Sequence, residues 1–167
     1  MKDFIYRTLT SDHAQAWQQL RIEGARDYPM GFLVTLEETT AISVDRCRAI
    51  LDGDSFRGVF AGEKLVGFCG YRPERLTRIR HRGEIGPFFV TRDYQGTGAA
   101  KTLMRGVIEE ARGNGLAQLE LFVDTENLRA IAFYEGRGFE RVATHRDSVR
   151  IDGRSRDDHL YILRLEH

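Results

Sequence analysis

The stretch that most constrains this chain runs from residue 82 to 111, where an apolar, strand-like segment (RGEIGPFFVT, about 82–91) gives way within a few residues to an amphipathic helix. Leu103, Met104, Val107, Ile108 and Ala111 recur on one side of that helix. Between the two lies Gln95-Gly96-Thr97-Gly98-Ala99-Ala100-Lys101. Glycines let a backbone turn tightly, and small side chains leave the first helical amides uncovered. Converging amides and the positive end of the helix dipole suit an anion such as a pyrophosphate. The same turn also reads as a plain strand-to-helix connection with no ligand, so the residues around it have to decide.

Two familiar phosphate motifs fit it poorly. A dinucleotide fingerprint, G-x-G-x-x-G, would need a third glycine where Lys101 stands. A P-loop comes nearer, since Gly96 to Thr102 reads GTGAAKT and the strand-like LELFVD ending at Asp124 imitates its acidic partner strand. Ala100, however, replaces the glycine that should precede the lysine.

Strand-like and helix-like segments alternate along the rest of the chain without a low-complexity linker or an internal repeat, which predicts one mixed α/β domain over residues 1–167. KDFIYRTL (2–9) reads as a strand, followed by a helix capped by Ser11 or Asp12 and carrying Trp17 and Leu20. Val44, Cys47, Ile50 and Leu51 mark a second helix that stops at Gly53. FRGVFA (56–61) and LVGFCGYR (65–72) flank Gly62-Glu63-Lys64 as a hairpin. QLELFV (118–123) is a buried-strand candidate, 126–135 a short helix, and FERVATH and HLYILRL closing strands. The total is six or seven strands and about four helices. Gly86-Pro87 predicts a bulge in its strand, because proline donates no ladder hydrogen bond; an ordinary edge irregularity is the competing reading.

Val90-Thr91-Arg92-Asp93-Tyr94-Gln95-Gly96-Thr97-Gly98-Ala99-Ala100 resembles the acetyl-CoA signature of the GNAT family of N-acetyltransferases, Q/R-x-x-G-x-G/A, with Gln95, Gly98 and Ala100 at its defined positions. Asn127-x-x-Ala130-x-x-Phe133-Tyr134-Glu135-x-x-Gly138-Phe139 looks like that family's second recurrent element, so the signature covers about 82–139. The resemblance implies a GNAT-type acyl-CoA N-acyltransferase fold, an α/β domain with a mostly antiparallel sheet splayed near Gly86-Pro87. It further implies acetyl-CoA as cosubstrate without a metal, and transfer of the acetyl group to a primary amine of a small molecule, protein N-terminus or lysine by direct attack in a ternary complex. By the same resemblance the amides of Gly96, Thr97, Gly98, Ala99, Ala100 and Lys101, following Gln95, hold the pyrophosphate. The backbone of Phe88, Phe89 and Val90 then pairs with the pantetheine arm like an added strand. Arg26 to Phe32 would wall the acceptor pocket.

Two residues are assigned chemistry on the same footing. Glu84, six residues before Val90, is the candidate general base, since an amine of pKa about 10 is charged at neutral pH and a carboxylate gives its proton somewhere to go. A solvated strand glutamate is the plain reading. Tyr134 is the candidate acid for the departing thiolate, against the plain reading of a core aromatic beside Ile131 and Phe133. Asn127 either caps its helix or bonds the cofactor arm, and the two roles are compatible. A non-catalytic CoA-binding sensor or interaction module is the alternative function.

Composition bounds the partners. Lys plus Arg and Asp plus Glu are 25 each, so no global field gathers nucleic acid or an anionic membrane. No uncharged run approaches the ~18 residues of a membrane span, and the expected location is the cytoplasm. Cys47 and Cys69 lack ligand spacing and read as two buried thiols. The five histidines show no H-x-x-x-H spacing and read as surface groups. The arginine-rich run 72–82 reads as a polar loop, and a homodimer is compatible with the chain.

Overall fold

Seven strands and five α-helices alternate along the chain in a computed structural model that describes residues 3–165. The order is β1 (Phe4–Thr8), α1 (Ala14–Asp27), α2 (Leu36–Thr40), α3 (Val44–Leu51), β2 (Phe56–Ala61), β3 (Lys64–Pro73) and β4 (Arg82–Val90). There follow α4 (Ala99–Gly113), β5 (Gln118–Asp124), α5 (Leu128–Gly136), β6 (Glu140–Ile151) and β7 (Arg154–Arg164). The strands form one mixed sheet in the order β1-β2-β3-β4-β5-β7-β6. β4 and β5 are parallel, and such a pair needs a crossover, which α4 supplies. The other registers between β1 and β2, β2 and β3, β5 and β7, and β6 and β7 are antiparallel.

The backbone gathers into two compact units. One comprises the residues up to Tyr71 with Pro87–Glu110, and the other comprises Arg72–Gly86 with the residues from Ala111 onward, so that β4 contributes to both. In the first unit, Trp17, Leu20, Phe32, Cys47, Leu51, Phe60, Leu65, Phe68 and Phe89 form the buried core. Trp17 and Leu20 of α1 and Cys47 and Leu51 of α3 are buried as their spacing predicts, whereas Val44 is exposed and α1 also buries the polar Gln18 and Arg21. Trp17 lies 4.9 Å from Phe56, and Phe89 lies 5.6 Å from both Phe32 and Tyr28, ring centroid to ring centroid. Glycine permits close approach at several places, Gly106 and Gly67 among them. A Cβ at Gly106 of α4 would lie 2.3 Å from the Tyr6 ring of β1, and one at Gly67 of β3 would lie 2.9 Å from the Phe89 carbonyl oxygen. Beneath α4, the buried Arg57 donates two 2.8 Å bonds to Glu110, whose Oε1 also accepts from the Tyr6 hydroxyl at 2.8 Å.

In the second unit Ile85, Leu119, Leu121, Val123, Tyr134, Phe139, Tyr161 and Leu165 are buried. β5 follows the alternation of a strand with one well-covered face, with Leu119, Leu121 and Val123 inside and Phe122 exposed. Asp124 ends this strand and is held by Arg156 through bonds of 2.5 and 2.9 Å.

Several local expectations are corrected. The cap before α1 is neither Ser11 nor Asp12. Ser11–His13 form a 3₁₀ turn preceded by Thr10, whose amide donates to His13 Nδ1 at 2.9 Å. α2 went unread; it is a single turn of chain with Thr35 as its cap, the Thr35 hydroxyl accepting from Glu38 N at 3.0 Å. β6 and β7 run far beyond FERVATH and HLYILRL, through a tight turn at Asp152 and Gly153 with φ of 52° and 76°. The described residues hold five α-helices, in keeping with the expected about four, α2 being the short addition.

Candidate functional site

The first unit carries the glycine turn. β4 ends at Val90, and Thr91 N donates to Val66 O at 2.8 Å before the 3₁₀ turn Arg92–Tyr94. Gln95 Nε2 donates back to Val90 O at 3.0 Å and to the Tyr28 hydroxyl at 3.3 Å, which ties the entry of the turn to the end of the strand. Gly96 and Gly98 take φ of 74° and 98°, conformations that cost a side-chain-bearing residue about 1–3 kcal/mol. A Cβ at either would meet no atom within 4 Å, so backbone conformation and not crowding requires glycine there, and the outer side of the turn is open. Thr102 N donates to Gly98 O at 3.0 Å. That bond opens the helical ladder and leaves the amides of Ala99, Ala100 and Lys101 ahead of it.

Around this turn the other predicted contact residues divide by burial. Ala99 is fully buried and pins the helix start, whereas Gly96, Thr97 and Lys101 are exposed. Phe89 and Val90 send their side chains into the core, and Phe88 is half-buried. The amides of Ala100 and Lys101 ahead of the helical ladder, two positive-φ glycines and an exposed lysine together fit a phosphate group, while Ala99, fully buried, offers no exposed amide.

The second unit carries Glu84, Asn127 and Tyr134. Glu84 pairs in register with Glu120 of β5, and each carboxylate has its own guanidinium. Arg82 reaches Glu120 at 3.2 Å, and Arg72 Nη2 reaches Glu84 Oε1 at 3.4 Å. Arg72 Nη1 also donates to Gly86 O at 2.7 Å. Gly86 has φ 147°, a glycine conformation, directly before Pro87; the expected irregularity of the strand is therefore present in its backbone.

Asn127 caps α5, its Oδ1 accepting from Ala130 N at 3.3 Å. Tyr134 is 8% exposed, and its ring meets Phe133 at 5.6 Å and Phe139 at 5.9 Å in edge-on contacts. Its carbonyl accepts from Arg137 N and Phe139 N, which closes the helix. The packing role read for Tyr134 is therefore real, and the hydroxyl is a separate matter.

Other polar groups are committed to structure. Asp124, which gave the P-loop reading its acid, is 5% exposed; it is bonded to Arg156 and accepts from Glu126 N at 2.9 Å. Burial would raise its pKa, but the bonds from Arg156 and Glu126 N outweigh that and hold it below its ordinary value. The histidines are not all plain surface groups: His13 packs 5.2 Å from Phe60, and His159 Nδ1 bonds the Thr144 hydroxyl at 2.8 Å. Cys47 and Cys69 are buried and not joined in a disulfide. Among the described residues no group of three or more His, Cys, Asp or Glu could hold a metal ion, and no helix is long and apolar enough to cross a membrane. Of the run 72–82 read as a polar loop, residues 74–81 form a turn closed by Glu74 N to Arg82 O at 2.9 Å, whereas Arg72 and Pro73 end β3 and Arg82 opens β4. Arg72 carries no local signal of its pairing with Glu84, because that partner lies 12 residues on and only the folded strands bring the two together.

Comparison with known proteins bears on all of this. The chain is 37% identical over 97 residues to the N-alpha-acetyltransferase RimI of Mycobacterium tuberculosis, covering 58% of each protein. It is 28% identical over 133 residues to the mycothiol acetyltransferase of Brachybacterium faecium, covering 78% of this chain and 38% of that one. The chain thus spans about 40 to 60% of the length of such relatives. Among solved structures, the Salmonella typhimurium protein yncA with its cofactor acetyl-CoA superposes with a TM-score of 0.83 at 16% identity, over 98% of this chain and 95% of that one. The ribosomal-protein-alanine N-acetyltransferase of Brucella melitensis gives 0.82 at 22%, over 96% and 99%. At these identities the superpositions speak for the fold. The family model described as acetyltransferase (GNAT) family matches residues 6–139, and with most of the sequence inside that match the chain belongs to the GNAT acetyltransferase family.

Proposed function

We propose that this protein transfers the acetyl group of acetyl-CoA to a primary amine by direct attack in a ternary complex. The observation that carries the reading is the Gly96–Gly98 turn, with its open outer side and the amides of Ala100 and Lys101 ahead of the α4 ladder, in a chain that matches the family across residues 6–139. On this reading the turn holds the CoA pyrophosphate, and the backbone of Phe88 to Val90 pairs with the pantetheine arm. Acetyl-CoA supplies an activated acyl group; the chain positions it and manages protons.

Glu84 takes the proton of the acceptor ammonium, directly or through water. The free amine adds to the thioester carbonyl, the C–S bond breaks, and the thiolate receives a proton from the Tyr134 hydroxyl. Tyr134 regains a proton as the adduct nitrogen sheds its second hydrogen, Glu84 passes the first to solvent, and the net reaction releases one proton for each amide formed. Asn127 keeps its capping role and thereby sets the start of the helix that bears Tyr134.

The acceptor class is tested by measuring thiol release from acetyl-CoA against an amine panel of polyamines, amino acids and peptides with free N-termini. The peptides are included because one relative is named for α-amine acetylation. Free thiol with at least one amine, and about a 10²-fold loss in Glu84→Gln, is the expected result. CoA raising the melting temperature while no amine yields thiol would leave a binding module without turnover.

A further inference from the structure

Arg72 stands at the end of β3 and spans two points of β4 with one side chain. Its Nη2 lies 3.4 Å from Glu84 Oε1, and its Nη1 donates to Gly86 O at 2.7 Å. A guanidinium is a rigid planar fork, so fixing one nitrogen on a backbone carbonyl orients the other toward the carboxylate. The carbonyl belongs to the glycine with φ 147°, where the backbone departs from a regular strand. Glu84 also sits in register with Glu120, a like charge directly across the parallel pair, an arrangement that disfavours two carboxylates. Arg82 answers Glu120, and Arg72 answers Glu84.

The stability gained is small. Both members of the Arg72–Glu84 pair are more than 40% exposed, and solvent-exposed pairs contribute little to folding. What the contact does instead is restrict a carboxylate that would otherwise sample several rotamers. We propose that Arg72 is the positioning residue of Glu84, anchored through Gly86 so that one carboxylate oxygen is held by the guanidinium and the other is presented to the amine. The proposal rests on the reading of Glu84 as the proton acceptor.

A kinetic cycle of wild type, Arg72→Gln, Glu84→Gln and the double variant tests it, with Arg72→Lys as the conservative control. Arg72→Gln lowers kcat for the amine about tenfold while KM for acetyl-CoA and the melting temperature stay near wild type, and the same substitution in the Glu84→Gln background has no further effect. Arg72→Lys, which keeps the charge but offers a point donor in place of a fork, recovers only part of the rate. A wild-type rate in Arg72→Gln overturns the proposal, and so does a rate loss that persists undiminished without the Glu84 carboxylate. If Glu84→Gln alone is as fast as wild type, the base assignment has failed first, and Arg72 has nothing to position.

Discussion

Gly98 separates two effects that usually travel together, the cost of a side chain in the turn and the cost of a charge beside the ligand. Its φ of 98° makes any side chain strained by about 1–3 kcal/mol, yet a Cβ there meets nothing within 4 Å. It also occupies the position whose carbonyl accepts the first bond of α4, from Thr102 N, where Asn and Asp are good caps and offset about 1 kcal/mol of that strain. Gly98→Asn and Gly98→Asp should therefore be similarly stable, with Asp slightly favoured by the helix dipole.

Toward CoA the two variants part. A carboxylate about 6 Å from one pyrophosphate charge, at an effective dielectric of about 20, is opposed by roughly 332/(20 × 6), or about 3 kcal/mol, which corresponds to about 100-fold in affinity. Calorimetric titration with CoA at low and high salt, on variants first shown by their melting curves to be folded, reads the difference directly. Gly98→Asn should lose a few-fold and Gly98→Asp about 100-fold, with the gap narrowing as salt screens it. Equal affinities for the Asn and Asp variants would mean that no phosphate sits at this turn.

Two further outcomes follow from other contacts. Tyr134→Phe should preserve CoA affinity and the ring contacts with Phe133 and Phe139 while slowing the chemical step about tenfold in single-turnover measurement, and an unchanged step would return Tyr134 to packing alone. Burial tends to raise the pKa of Glu110, but the hydrogen bonds from Arg57 and Tyr6 outweigh it and hold the group below its ordinary 4.5. The stability it lends is therefore complete above about pH 4.5 and is lost as pH falls through the lowered value. Arg57→Met, which leaves that carboxylate without its cation, should cost about 2–4 kcal/mol in urea unfolding at pH 7, with the deficit shrinking on acidification; a loss under 1 kcal/mol, or one independent of pH, would contradict the account.

How far the sequence was legible depends on what kind of force fixes each element. The turn at 95–101 was readable because positive φ at Gly96 and Gly98 is a local demand that only glycine meets cheaply. The core faces of α1 and β5 were readable from the apolar spacing of Trp17, Leu20, Leu119 and Leu121, and that of α3 only in part, since Val44 is exposed. The far halves of β6 and β7 were not, since RDSVRIDGRSRDD has little apolar alternation and those strands are held by ladder bonds and cross-strand contacts such as the Asp147 amide on Asp157 Oδ1. The Asp152-Gly153 step was nevertheless a usable hairpin signal. Of the site residues, the cap at Asn127 could be read from its spacing, whereas the Arg72 fork on Glu84 and Gly86 is a long-range product of strand pairing that no local pattern announces.

Gly106 gives the turn a mechanical setting remote from its own residues. α4 is a stiff rod whose first turn bears the open amides, and its midsection rests on the Tyr6 ring with room for a hydrogen atom and no more, since a Cβ would come within 2.3 Å. One added methyl would act as a wedge under that rod. To reach ordinary van der Waals distance the helix would have to rise by about 1.5 Å or tilt, and the Ala100 and Lys101 amides, about 8 Å away along the axis, would swing with it while Val90 stayed anchored in the sheet. The spacing between the end of the strand and the amides is thus set by a position that touches neither, and sequence drift at Gly106 would detune ligand binding without altering a single residue of the turn.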